Sequence, residues 1–131
     1  MAQSLSFERM VLGHTITAVL FPAGNDWGVI ITGGCLPHIG SISTAYWQPT
    51  GVELQEILLP THRDNVVSRH FAEVLCQKLH TTVTVVCGIH YDAPGPNGLE
   101  KILSCTDALL SDILIFFSEQ FVHEHLSLIH I

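Results

Sequence analysis

The sequence predicts an α+β fold, a mainly antiparallel sheet with two helices packed on one side in a single pair of layers. Two observations carry that expectation. Apolar and β-branched runs of strand length fill the chain up to Leu59. Beyond Pro60 the apolar spacing changes to three- and four-residue steps, then returns to alternation before a final helical stripe. Length adds a third, because 131 residues suit one core and would leave two marginal halves if divided. One domain is therefore expected over residues 1–125.

Taken in order, Thr15 to Leu20 and Trp27 to Thr32 are β-branched and apolar, and "PAGND" between them is a turn cluster that closes a hairpin. "SISTAYWQ" sets Ile42, Thr44 and Tyr46 against Ser41, Ser43 and Ala45, the alternation of a half-exposed strand. "VELQEILL" up to Leu59 is a further strand, stopped by Pro60. "THRDNVVSRHFAEVLCQKLH" places Val67, Phe71, Val74, Leu75 and Leu79 at helical spacing, with Asp64 or Asn65 positioned to cap the first turn. "TTVTVVCGIH" puts Val83, Val85, Cys87 and Ile89 on one side of a strand, and "YDAPGPNG" is turn-forming throughout. From Leu99 onward Ile102, Leu103, Leu110, Ile113, Leu114, Phe117 and Phe121 trace a second helix. The predicted order is four strands, a helix, a strand and a helix. The closing "LSLIHI" is what one reading frame of a sequencing-library transposon end, CTGTCTCTTATACACATC, encodes, so residues 126–131 are read as a non-native or frayed tail.

Hydrophobic residues make up 47% and charged residues 13%, which fills a core easily and leaves little charge for the surface. A chain so composed is expected to bury one face against a copy of itself, as a homo-oligomer. Five Lys+Arg against twelve Asp+Glu, a formal charge of -7, and the lack of any basic run argue against nucleic acid as a partner. The apolar segment "ALLSDILIFFSEQFV" is broken by Asp112 and Glu119 and is too short for the ~20 residues of a membrane span. "MAQSLSFERM" lacks the charged and apolar regions of a signal peptide, and Cys35, Cys76, Cys87 and Cys105 form no C-x-x-C pair. A reducing, cytoplasmic setting is expected.

Three of nine histidines, His38, His62 and His90, fall in loops just after predicted strands, with Asp64 and Asp92 near them in sequence. Neutral imidazole is the commonest side-chain ligand of first-row metals, so these loops are candidates to surround a divalent ion. Their spacing is long and irregular, and histidines hydrogen-bonded to loop backbone are an equal alternative. His70 and His80, on or at the end of a helix, are read as solvated or capping residues, and His14, which abuts a strand, is likewise given no ligand role. Gly33 and Gly34 offer backbone N–H groups with no side chain in the way, as anion nests do, although a glycine pair at a strand end is also an ordinary turn. Arg63 and Arg69 flank the His62-Asp64-Asn65 segment and supply counter-charge for a phosphate, or else are surface helix arginines. Cys35 stands near His38 without a third orienting group, which disfavours a thiol hydrolase.

Together "TGGCLPHIG" (Thr32 to Gly40), "HRDNVVSR" (His62 to Arg69) and "CGIHYD" (Cys87 to Asp92) resemble the LpdD-like family, small prenylated-flavin chaperones encoded with UbiD-type decarboxylases. The likeness lies in the order T-G-G-x-x-P-H-I-G, then H-x-D-N before a helix, then G-I-H at a strand end. It implies a dimeric non-enzyme that binds reduced prenylated FMN, made by a UbiX-type flavin prenyltransferase, and passes it to an apo UbiD-type aromatic acid decarboxylase with help from a divalent metal ion. The resemblance makes Thr32, Gly33, Gly34, Pro37, His38, Arg63, Asn65 and Arg69 the cofactor-binding candidates, and His38, His62, His90 and Asp64 the metal candidates. Cys35 occupies a variable position of the first motif. The same histidines leave open a metal-dependent enzyme or an accessory subunit of a non-oxidative decarboxylase, and the low charge leaves open a pure interaction module.

Overall fold

In the computed structural model, the chain order is β1 (Leu5–Val11), β2 (His14–Ala23), β3 (Asp26–Gly34), β4 (Ser41–Gln48), β5 (Gly51–Leu58), α1 (Asn65–Leu79), β6 (Val83–His90) and α2 (Gly95–Ile129). The structure describes residues 3–60 and 64–129, with side chains through residue 122. The six strands form one sheet in the order β1-β2-β3-β6-β4-β5. Every pairing is antiparallel except β3 with β6. The α+β expectation holds, a mostly antiparallel sheet with two helices.

β1 is the element absent from the sequence expectation. Its alternation of Leu5, Phe7 and Val11 is interrupted by Arg9, which faces the helices and donates two hydrogen bonds to Asp112 of α2, at 2.7 and 3.0 Å. A charge at an inward position hides the strand period that apolar counting relies on. β2 and β3 also run further than expected: Pro22 and Ala23 pair with Trp27 and Asp26, so the turn is only Gly24 and Asn25. α2 begins at Gly95 inside the expected loop, with Pro96 in its first turn, where the missing N–H breaks no helical bond.

Alternate residues of the inner strands face the helices and are sealed: Ile16, Ala18 and Leu20 on β2, Val29 and Ile31 on β3, Val83, Val85 and Cys87 on β6. Phe71, Leu75 and Cys76 of α1 and Leu109 and Ile113 of α2 close the layer. Burial pushes the Cys87 thiol well above its ordinary value, which makes it an inert apolar filler. Ser41, Ser43 and Ser68 are buried in the same layer, and the Ser68 hydroxyl lies 2.9 and 2.8 Å from the other two, so the three satisfy one another. Among the described residues no helix covers the opposite face of the sheet, which presents Val19, Phe21, Ile30, Ile42, Val86 and Ile57 among threonines, with Phe21 and Ile30 each 39% exposed and Ile57 58%. Among the described residues no helix is long and apolar enough to cross a membrane.

Candidate functional site

The parallel strands β3 and β6 end level, with Gly34 opposite His90. The segment after β3 then folds back over β6: the Cys35 N–H donates to the His90 carbonyl at 2.9 Å and the Gly40 N–H to the Cys87 carbonyl at 2.8 Å. Two glycines permit this. Gly34 has φ +85, and a Cβ there would run into the His90 carbonyl; a Cβ on Gly88 would run into the His38 carbonyl. Gly33 lies inside the ladder, between Ile16 and Ile89, and a Cβ on it would come within 2.6 Å of the Thr15 carbonyl oxygen. The glycine pair therefore closes β3 rather than following it as an open anion nest, and close backbone packing is its physical reason.

That fold-back carries His38 to the start of α1. Its Nδ1 lies 3.0 Å from the Leu36 carbonyl and its Nε2 3.3 Å from Asp64 Oδ2, so both ring nitrogens face oxygen acceptors. Asp64 stands at the N-cap of α1, where its carbonyl accepts from Val67 and Ser68 N–H at 3.1 Å each. Its side chain makes no cap bond; the carboxylate reaches outward to His38 and accepts the Ile89 N–H at 3.3 Å. The expected capping residue is in place, and its side chain is committed to the junction of three elements.

Beside that junction lies a cavity of about 430 Å³. Val66 and Val67 of α1, Ile89 of β6 and Leu99, Ile102 and Leu103 of α2 form its apolar walls, and His38, Asp64, His90 and Tyr91 its polar edge. Tyr91 is anchored, donating its hydroxyl toward the Val11 and His14 carbonyls at 3.0 and 3.2 Å, and burial raises its pKa. Val66, Val67 and Leu103 also line an adjoining cleft of about 460 Å³ between the helices, which reaches Asn65, Arg69 and His70.

Of the residues expected to hold a cofactor, His38 lines the cavity, and Asn65 and Arg69 line the adjoining cleft. Arg69 is ion-paired with Glu56 of β5. Thr32 lies on the helix-free face of the sheet, opposite Thr17 and Gly88, and Pro37 is exposed in the fold-back segment. His62 and Arg63 fall outside the described residues. The apolar walls were missed because Ile102 and Leu103 belong to the α2 core stripe, and only the tertiary gap above α1 makes part of that stripe a pocket wall.

The metal candidates divide. His38 and Asp64 pair with each other, and the His38 and His90 rings stand 6.4 Å apart between centroids. His90 turns the other way, its Nε2 2.9 Å from Asp92 Oδ1. Among the described residues, the donors that gather are Cys35, His90 and Asp92, all exposed, with their ligand atoms within 4.8 Å of one another. Hydrogen bonds from His90 and then Cys35, followed by the charges of His90 and His14, hold the Asp92 carboxyl below its ordinary value. Of the anticipated set of His38, His62, His90 and Asp64, His62 lies outside the described residues; among the described ones His90 turns to Asp92, while the Asp64 carboxylate pairs with His38 and accepts the Ile89 N–H of β6.

A sequence profile of the prenylated flavin chaperone LpdD-like domain matches residues 11–118. The chain belongs to that family. Within it, protein LpdD of Lactiplantibacillus plantarum is 29% identical over 111 residues, which span 83% of this chain and 82% of the relative. A chain from the crystal structure of a chaperone complex for yeast 20S proteasome assembly superposes with a TM-score of 0.54 over 88% of this chain and 96% of its own, at 13% identity, a likeness of fold alone. Family membership bears out the resemblance carried by the three motifs, and the matched span contains His38, Asp64 and His90 together with the apolar walls of the cavity.

Proposed function

We propose that the protein holds reduced prenylated FMN and delivers it to an apo UbiD-type decarboxylase, itself catalysing no reaction. The observation that carries this reading is the cavity of about 430 Å³, within the ordinary range for small-molecule sites, with apolar walls and a short polar edge. The walls of Val67, Ile89, Ile102 and Leu103 suit a flat ring system, and His38 and Asp64 on the edge suit its heteroatoms. The phosphate would lie toward the first turn of α1, where Asn65 and Arg69 line the adjoining cleft and the helix dipole favours an anion. Gly33 and Gly34 act at one remove, Gly33 by fitting β3 closely against β2 and Gly34 by letting the segment that bears Pro37 and His38 pack onto β6. A site open to solvent on one side suits a carrier that must release its cargo.

The cargo would come from a UbiX-type prenyltransferase in the cytoplasm. The helix-free sheet face, with Phe21, Ile30 and Ile57 exposed, is assigned to a second copy of the chain, two such faces stacking as sheets do in a sandwich. Sedimentation is expected to show a dimer that Ile30→Lys converts to a monomer; a monomeric wild type removes this part of the reading.

The decisive experiment offers the purified protein reduced prenylated FMN under anaerobic conditions and passes it through gel filtration. Flavin is expected to travel with the wild type and not with Leu103→Trp, which fills the cavity. The reading fails if the wild type carries none, or if both carry it equally.

A further inference from the structure

Cys35 and His90 are brought together by the sheet. They leave the level ends of two parallel strands, the Cys35 N–H is bonded to the His90 carbonyl at 2.9 Å, and Asp92 lies two residues on, its Oδ1 2.9 Å from His90 Nε2. The outcome is a thiol, an imidazole and a carboxylate with their ligand atoms within 4.8 Å of one another, all open to solvent. Bonds of about 2.0–2.3 Å at tetrahedral angles set ligand atoms roughly 3.3–3.8 Å apart, a spacing these exposed side chains reach by small rotations on a fixed backbone.

We propose that Cys35, His90 and Asp92 form a zinc site with one open coordination position. The donor set selects the ion: a thiolate disfavours magnesium, calcium and manganese, and the mixture with imidazole and carboxylate suits Zn²⁺. The Cys35 thiol gives up its proton on binding, as zinc ligation requires. Cys35 and Asp92 also line a shallow cavity of about 360 Å³ with Leu12, His14 and Tyr91, which gives a fourth ligand room beside them. Water or an anionic oxygen fits there, and His14 stands beside it, its ring 5.8 Å from that of Tyr91. This site is separate from the His38–Asp64 pair and does not depend on the flavin reading; it shares only His90 with the cavity edge.

The test uses the full chain without a histidine tag, stripped of metal and titrated with Co²⁺ as a spectroscopic substitute for Zn²⁺. A thiolate-to-cobalt charge-transfer band is expected to saturate at one equivalent and to vanish when Zn²⁺ is added. Cys35→Ser, whose exposed position leaves the circular dichroism unchanged, should abolish the band, whereas Cys105→Ser should keep it. His90→Ala and Asp92→Asn should each weaken Zn²⁺ binding by more than about 10-fold. Cobalt binding with no charge-transfer band, a band that survives Cys35→Ser, or no binding at all would each overturn the proposal.

Discussion

Two histidine–aspartate pairs flank the end of β6, and they differ in everything except composition. His38 and Asp64 are largely sheltered, 21% and 12% exposed, and each also contacts backbone, His38 at the Leu36 carbonyl and Asp64 at the Ile89 N–H. His90 and Asp92 are open, 47% and 85% exposed, with the Cys35 thiol alongside. The sheltered pair acts as a bolt joining the fold-back segment, the start of α1 and the end of β6. The open pair has side chains at liberty to turn toward an incoming ligand. Residue type alone does not separate the two; the backbone partners do.

Breaking the bolt from beneath should have the largest effect. Gly88→Ala sets a methyl against the His38 carbonyl and is expected to cost about 3 kcal/mol, the upper part of the overpacking range, and to abolish flavin retention; urea unfolding and gel filtration check both. Asp64→Ala leaves the part-buried Ile89 N–H without its carboxylate partner and should cost about 2 kcal/mol by the same measurement.

An exposed ion pair elsewhere gives the scale for the open side. Arg9→Ala should lower stability less than either of these, despite the two bonds to Asp112, because water screens the pair. Its pH dependence has a definite sign. The Arg9 hydrogen bonds hold the Asp112 carboxyl below its ordinary value, so the stabilisation is complete above the usual carboxylate range and is lost as the pH falls through the lowered native value. Urea midpoints of wild type and Arg9→Ala should therefore converge in acid. Smallest of all, Asp92→Asn should leave the urea midpoint in the absence of metal close to that of the wild type, since its side chain lies in water. A loss for Asp92→Asn equal to that for Asp64→Ala would erase the distinction between the pairs.

The sequence conveyed the covered layer well, because its period is written in side chains: Val83, Val85 and Cys87 alternate inward, and Val67, Phe71 and Leu75 recur on one side of α1 as their spacing requires. It conveyed β1 poorly because Arg9 occupies an inward slot whose partner, Asp112, is distant in sequence. The site was half apparent. His38, Asp64 and His90 stood out as loop residues, but whether a histidine faces a carbonyl or a thiol is decided by contacts across the sheet. Cys35 stands near His38 in sequence, but the pairing of Gly34 with His90 sets it beside His90 and Asp92 instead.

The central place of β6 has a bearing on how the chain acquires its shape. β1, β2 and β3 pair among themselves, and β4 pairs with β5, yet no strand of the first set pairs with one of the second except through β6. During synthesis the two groups can form only as separate fragments with unpaired edges until residues 83–90 emerge and zip them together, a long-range step of the slow kind. Ile89 and His90 end that strand, and the α2 residues Leu99, Ile102 and Leu103 follow them in the chain, so the cavity beside His38 and Asp64 takes shape only once the sheet is whole.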